Sequence, residues 1–404
     1  MSELYKLPEG WEWKQLGDIS KLIGGGTPKR NMNEYWDNGN IVWLSPTDLG
    51  KIGDVIYISD SKDKITQLGL DKSSAKLLPV GTVLYSSRAT IGKIAINTIE
   101  VSTNQGFTNF ICNENLNNRY LAYILSRFTP EITSLSNSTT FKEVSKTSLK
   151  KFQIPLPPLQ EQKRIVAKLD TLFEKIDKAI ALHQKNMDEA DVFMGSVLNE
   201  VFGELEEKYT IKTVDELCTK ITDGTHATPK YIDEGIPFLS VKNISKGIIS
   251  FDDTKFISFK EHSLLSKRCN IELEDILYTK VGTTGIAKVV DVDKEFSIFV
   301  SIALLKPKKD LILSMFFEYM LNSPSCYEQA QNRTRGVANR NLVLKDIKQI
   351  SFPLPPLNIQ QKTVSYLDSI SQKIEKLKAV QKEKMQSLVA LKASILDQAF
   401  RGEL

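Results

Sequence analysis

The sequence has little that would place the protein in a membrane or an oxidising compartment. Its 404 residues include four cysteines, at 112, 218, 269 and 326, without metal-type or redox-type spacing. That usage fits a reducing cytoplasm. No apolar run approaches the roughly 20 residues of a membrane helix; the longest lies around Ile298–Leu305. The opening "MSELYKLPEGWEW" carries acids and a proline where a secretory signal needs an apolar stretch. The expectation is a soluble cytoplasmic chain with no membrane partner. Only three histidines occur, scattered at 183, 226 and 262, so no metal site is expected. With 53 basic and 49 acidic residues the net charge is +4, too small for bulk electrostatics to announce a nucleic-acid partner.

Catalytic equipment is equally sparse. "IGGGTPKR" (23–30) is Gly-rich but lacks the Lys-Ser/Thr ending of a phosphate-cradling loop, and its repeat reads "TDGTHATPK" (222–230). No Gly-rich strand–turn–helix signature for S-adenosylmethionine is present. Neither is the Asn- or Asp-Pro-Pro-aromatic run of an amino-methylating site. No nucleophile–base pair can be argued, so the chain is expected to be non-catalytic and to bind no cofactor.

What is present is repetition. "IPLPPLQEQ" (154–162) returns as "FPLPPLNIQQ" (352–361), 198 residues later. Proline fixes φ and keeps the preceding residue out of the helical region, so each phrase is a stiff, extended lead into the segment behind it. Behind the first come Ile165, Leu169, Leu172, Ile176, Ala179, Met187, Ala190, Met194, Val197 and Val201, in steps dominated by threes and fours. No proline interrupts 160–202. Such a helix is roughly 60 Å long. Behind the second come Val364, Leu367, Ile370, Ile374, Leu377, Leu388, Leu391, Ile395 and Ala399, and the two segments close on "SVLNEVFGEL" and "SILDQAFRGEL". A long striped helix needs a partner. Segment 154–205 has 6 basic and 9 acidic residues, net −3, while 352–404 has 8 and 5, net +3. That complementarity favours pairing of the two helices over self-pairing, although each helix capping only its own domain is also open.

The intervening segments look like a diverged duplication. "ISKLIGGGTPK" (19–29) aligns with "LCTKITDGTHATPK" (217–230), and "IVWLSPTDL" (41–49) with "IPFLSVKNI" (236–244). "GTVLYSSRATIGKIAI" (81–96) aligns with "EDILYTKVGTTGIAKV" (274–289). Short β-type runs alternate with Gly, Asn, Asp and Ser turns, and helical patterns fall near 119–127 and 314–321. The expected fold is α+β: two mixed α/β heads, 1–153 and 206–351, with two long helices in 154–205 and 352–404. The helices are expected to pair as an antiparallel coiled coil, giving a pseudo-two-fold internal repeat.

One segment points to a ligand. "QAQNRTRGVANRNLVLK" (329–345) holds Arg333, Arg335, Arg340 and Lys345 with no acid, and asparagines stand between the charges. Arginine and asparagine make bidentate contacts to guanine and adenine edges, and arginine also grips phosphate; a solvated basic loop before a helix is the competing explanation. The matching stretch "SNSTTFKEVSK" (136–146) is rich in hydroxyls and amides. Candidate DNA contacts are therefore Arg333, Arg335, Asn339 and Arg340, with Lys230, Lys280 and Thr283, in the second head. In the first they are Lys29, Arg88, Thr90, Thr139 and Lys142.

Taken together, two dissimilar heads, each followed by "PLPPL-x-x-Q" and a long helix ending "FGEL" or "F-x-GEL", resemble the specificity subunit of type I restriction-modification systems. "SSRATIGKIAI" (86–96) and "STNQGF" (102–107) also match that family's wording. Ile359 and Gln361 depart from it, standing where Glu and Lys are usual. The resemblance implies that each head is a target-recognition domain for one half of a bipartite double-stranded DNA site. It implies a helical spacer that docks two modification subunits. Those subunits use S-adenosylmethionine to methylate adenine, and restriction subunits, translocase–nucleases using ATP and Mg, cut unmodified DNA. The proline phrases, Pro155, Pro157, Pro158 and Leu159 with Pro353, Pro355, Pro356 and Leu357, are then candidate docking points. A self-contained DNA methylase or nuclease, and a coiled-coil scaffold with no DNA role, are the alternatives.

Overall fold

Each proline phrase enters the structure as a strand. In the computed structural model, which describes residues 5–136, 142–336 and 340–404, Gln153–Leu156 pairs antiparallel with Glu12–Gln15, setting Pro155 opposite Trp13. Ser351–Pro353 pairs likewise with Ile211–Thr213, setting Pro353 opposite Ile211. Proline donates nothing to a ladder, so it is confined to strands with a free edge, and both strands of a two-stranded ribbon have one. The next prolines end the strand and a helix begins at once, Leu159–Glu206 in the first copy and Leu357–Arg401 in the second.

The chain divides into two compact units, each a head with part of both long helices: residues 1–183 with 383–404, and residues 184–382. In the first unit the main sheet runs in the order Ser20–Gly24, Phe107–Cys112, Val83–Ser86, Ile94–Asn97, Val55–Ile58. Only its last pairing is parallel. The strands "VLYS" and "IAIN" are buried along their whole length, so they read as continuous apolar runs instead of alternating ones. The helix Asn118–Arg127, capped by the Asn117 side chain on the Tyr120 N–H, lies in the core that continues into Ile165, Leu169, Phe173, Ile395 and Phe400 of the long helices.

The second unit repeats the plan. Its main sheet runs Cys218–Asp223, Ile302–Pro307, Ile276–Thr279, Ala287–Val289, all antiparallel. The helix Ser314–Leu321 joins a core shared with Val197, Phe202, Val364 and Leu367. Tyr120 meets Phe400 edge-on at 5.4 Å in one unit, and Phe316 meets Phe202 in the same way at 5.7 Å in the other. Each head also carries a small three-stranded sheet. In both, the middle strand (Ile41–Leu44 or Ile236–Leu239) is antiparallel to one neighbour and parallel to the other.

Within each unit the long helices run antiparallel. Lys392 pairs with Asp177 at 2.9 Å and Lys378 with Asp191 at 2.8 Å, the acid on the first helix and the base on the second in both cases. Asp191 lies fourteen residues beyond Asp177 and Lys378 fourteen before Lys392, so both units hold one register. Exposed pairs of this kind add little stability, and what they specify is alignment. The stripe is less uniform than its periodicity suggests. Leu377 and Leu391 belong to neither core and are 43% and 47% exposed, as are Val192 at 73% and Phe193 at 53%. Apart from Ala190 and Ile374, the buried apolar residues of these helices belong to the two cores they share with the heads. No helix among the described residues is long and apolar enough to cross a membrane.

Candidate nucleic-acid interface

In the first head a tight turn follows the strand Val83–Ser86. Ser86 donates its hydroxyl to the Thr90 carbonyl at 2.6 Å and accepts the Lys93 N–H, while Ala89 takes a left-handed φ of 61°. The turn lifts Arg88 and Thr90 to the surface. The chain just before the proline phrase returns to it: the Ala89 N–H donates to the Lys142 carbonyl and the Val144 N–H to the Ser87 carbonyl, both at 2.9 Å. Buried Val144 anchors this return, and Arg88 reaches Glu143 at 3.6 Å. On the other side the Ser87 N–H donates to the Gly106 carbonyl, and the Gly26 N–H to the Thr103 carbonyl. At Gly25 a Cβ would meet the Asn104 carbonyl at 1.9 Å, so only glycine lets these two loops approach. Backbone bonds thus draw together segments far apart in sequence, and Lys29, Arg88, Thr90 and Lys142 are exposed on them.

The second head repeats this backbone pattern with different side chains. The Gly282 N–H donates to the Arg340 carbonyl and the Leu342 N–H to the Lys280 carbonyl. The Lys280 N–H donates to the Ser301 carbonyl, and the Thr225 N–H to the Ile298 carbonyl. Gly224 occupies the place of Gly25, with the Ile298 carbonyl 2.0 Å from where its Cβ would stand. Lys230, Thr283, Arg335 and Arg340 are exposed here. Arg335 leans on Asp346 at 3.1 Å and Arg340 bonds the Gln331 amide, while Arg333 is half-buried and donates to the Gln329 carbonyl. Thr139 and Asn339 lie outside the described residues.

Two expectations are corrected by burial. Lys280 does not reach solvent: its ammonium is buried 3.2 Å from the Asp223 carboxylate, itself buried. A charge is tolerated there only because it is paired. Pro155, Pro157, Pro353 and Pro355 are buried within their own units, so the accessible parts of the docking phrases are Pro158 with half-buried Leu159, and Pro356 with Leu357.

The structure also exposes cations that spacing did not single out. Asp223 binds, besides Lys280, the Arg268 guanidinium and the His226 ring, and both of these side chains face solvent. In the first head Arg30 stacks over Trp36 at 3.9 Å, lies 4.9 Å from the Trp43 ring, and holds Asp63 at 2.7 Å. The adjacency "KR" at 29–30 was the available signal for Arg30; nothing local ties Arg268 to Asp223, 45 residues away. A guanidinium held by a carboxylate or an aromatic face keeps further N–H groups in a fixed fork, the geometry that suits phosphate and guanine. Burial pushes the free thiols up, Cys269 to about 11 and Cys112, Cys218 and Cys326 to about 12, so none is a thiolate at neutral pH.

Known proteins share this plan. The chain is 27% identical over 398 residues to the type I restriction enzyme MjaIX specificity subunit of Methanocaldococcus jannaschii, covering 92% of this chain and 89% of that one. It is 25% identical to the type I restriction enzyme EcoKI specificity subunit of Escherichia coli K12, covering 99% and 90%. Among solved structures, a chain from work on complex assembly and conformational transition of the type I R-M system superposes with a TM-score of 0.75 at 24% identity, over 99% of this chain and 100% of the other. The HsdS subunit from Thermoanaerobacter tengcongensis gives 0.51 at 24% identity, over 100% and 99%. At that identity these structures speak for the fold. The family model for the type I restriction modification DNA specificity domain matches twice, at residues 8–186 and 206–384. Both heads are covered, and the chain belongs to that family.

Proposed function

We propose that this chain is the DNA-reading, non-catalytic subunit of a cytoplasmic type I restriction-modification complex, each head reading one half of a bipartite double-stranded site. The observation that carries this is the duplicated loop cluster: one backbone frame in both heads, presenting Lys29, Arg88, Thr90 and Lys142 in one and Lys230, Thr283, Arg335 and Arg340 in the other. A shared frame with different side chains is what two readers of different half-sites require, since base edges discriminate through side-chain donors and acceptors. Two modification subunits dock on the helix pair, which leaves Val192, Phe193, Leu377 and Val389 exposed along its length and Pro158 and Pro356 exposed at its helix starts. Those subunits supply S-adenosylmethionine chemistry, and the restriction subunits supply ATP- and Mg-dependent cleavage. This chain contributes position.

Reconstitution tests the assignment. With radiolabelled S-adenosylmethionine and DNA, the purified chain is expected to transfer no methyl group, and adding the modification subunit is expected to start transfer. Transfer by this chain alone overturns it. Arg335→Ala distinguishes the kind of contact. A base contact costs about 1–3 kcal/mol and relaxes one position of one half-site; a phosphate contact weakens all sites alike and shallows the salt slope by about one. Binding unchanged in affinity and salt dependence removes Arg335 from the interface.

A further inference from the structure

The two fully buried glutamines of the long helices, Gln162 and Gln360, hold their heads in the same way. Gln162 Nε2 donates to the carbonyls of Asn115 and Pro157, both at 2.9 Å, and its Oε1 accepts the Asn117 N–H at 2.8 Å. Gln360 Nε2 donates to the carbonyls of Leu311 and Pro355, both at 2.8 Å, and its Oε1 accepts the Leu313 N–H at 2.8 Å. Asn117 and Leu313 are the N-cap residues of the two head helices, so each amide ties the start of a head helix to the proline phrase and to the first turn of a long helix. Every partner is a backbone group. The heads differ at these points, Asn115 and Asn117 against Leu311 and Leu313, yet the clamp is the same because it reads no side chain of the head.

We infer that Gln162 and Gln360 are positioning residues that fix the angle of each head on its long helix, and so fix the gap between half-sites at which both heads can be seated. The inference rests on the function proposed above. A buried amide that holds one carbonyl and one N–H of the head resists rotation about the joint, because turning the head strands both groups, and the amide that held them, away from water. A second tie flanks each clamp: Asp170 accepts from Tyr123 at 2.5 Å and from Arg119 at 2.7 Å, and Asp368 accepts from Tyr319 at 2.8 Å. Burial, and then the neighbouring carboxylate, push both phenols above their ordinary value, so they remain donors. The glutamine is the part that engages backbone alone. It therefore serves any head that starts its helix at this place, which accounts for a device repeated between heads that diverge.

The test is adenine methylome sequencing of cells carrying the complete complex, with parent, Gln162→Met or Gln360→Met chains. Methionine keeps the volume and removes all three bonds. Both half-site sequences are expected to persist, while preference for the parental gap over gaps one base pair shorter or longer falls about tenfold or more, the factor that one orienting hydrogen bond represents. Amide exchange of the full-length variants should release Asn117 in the first and Leu313 in the second, locating the loosened joint. Parental gap selectivity together with a lower melting temperature overturns the inference and makes the glutamines ordinary core residues. A changed base in either half-site overturns it too, as does failure of both variants to fold and assemble. A parent chain that directs no bipartite methylation fails the proposed function itself, and that is seen before any variant is compared.

Discussion

Replacing residues 1–150 with the matching head of a relative is expected to change one half of the recognised site completely and leave the other untouched. The two loop clusters are built within separate heads, each closed by its own backbone bonds: Ala89 to Lys142 in one, Gly282 to Arg340 in the other. The joint to the helix is largely independent of head sequence, since the ribbon Glu12–Gln15 with Gln153–Leu156 and the Gln162 amide engage backbone. Side-chain ties do exist, Arg119 and Tyr123 to Asp170 and Arg127 to Asp397. A donor head that supplies their equivalents will assemble best. Each mismatched base pair costs about 1–3 kcal/mol, so a half-site altered at three positions shifts preference by roughly 10² to 10⁶-fold. Methylome sequencing reads the outcome. A chimera that folds and methylates with both half-sites altered contradicts modular reading.

The second large effect is on spacing. We predict that four residues inserted in the first long helix between Asp177 and Asp191, matched by four in the second between Lys378 and Lys392, lengthen the non-specific gap by one base pair. The hypothesis rests on two uninterrupted helices and on the single register that those two ion pairs mark. Four helical residues add about 6 Å and about 40° of net rotation. One base pair supplies about 3.4 Å and roughly 35°. Length alone asks for nearly two base pairs and rotation for one. Rotation decides, because a head facing away from its groove loses every base contact, whereas a small axial error is absorbed by tilt. An active insertion variant that keeps the parental gap would mean that the helices hold partners without measuring DNA.

Much of this architecture was legible from residue order, for physical reasons that can be named. Proline in "PLPP" forces an extended backbone, and a period between three and four forces a helix, so head and helix were separable by eye. The opposite charges of the two helical segments surface as the Asp177–Lys392 and Asp191–Lys378 pairs. Other features left no local trace. Lys280 sits in a turn matching that of Arg88, and what removes it from solvent is Asp223, 57 residues away on another strand. The glutamines' partners are backbone atoms, which every sequence possesses, so spacing could not reveal the clamp. Leu377 and Leu391 fit the stripe but stay exposed and join neither core, because periodicity records a face without recording what covers it.

The most direct measurement is adenine methylome sequencing of cells carrying this gene with its modification partner, beside cells in which this gene alone is deleted. Methylation is expected at one motif of two defined half-sites separated by a gap of fixed length and free sequence, lost entirely on deletion. A continuous, unsplit motif, or methylation that persists without this chain, would contradict that expectation.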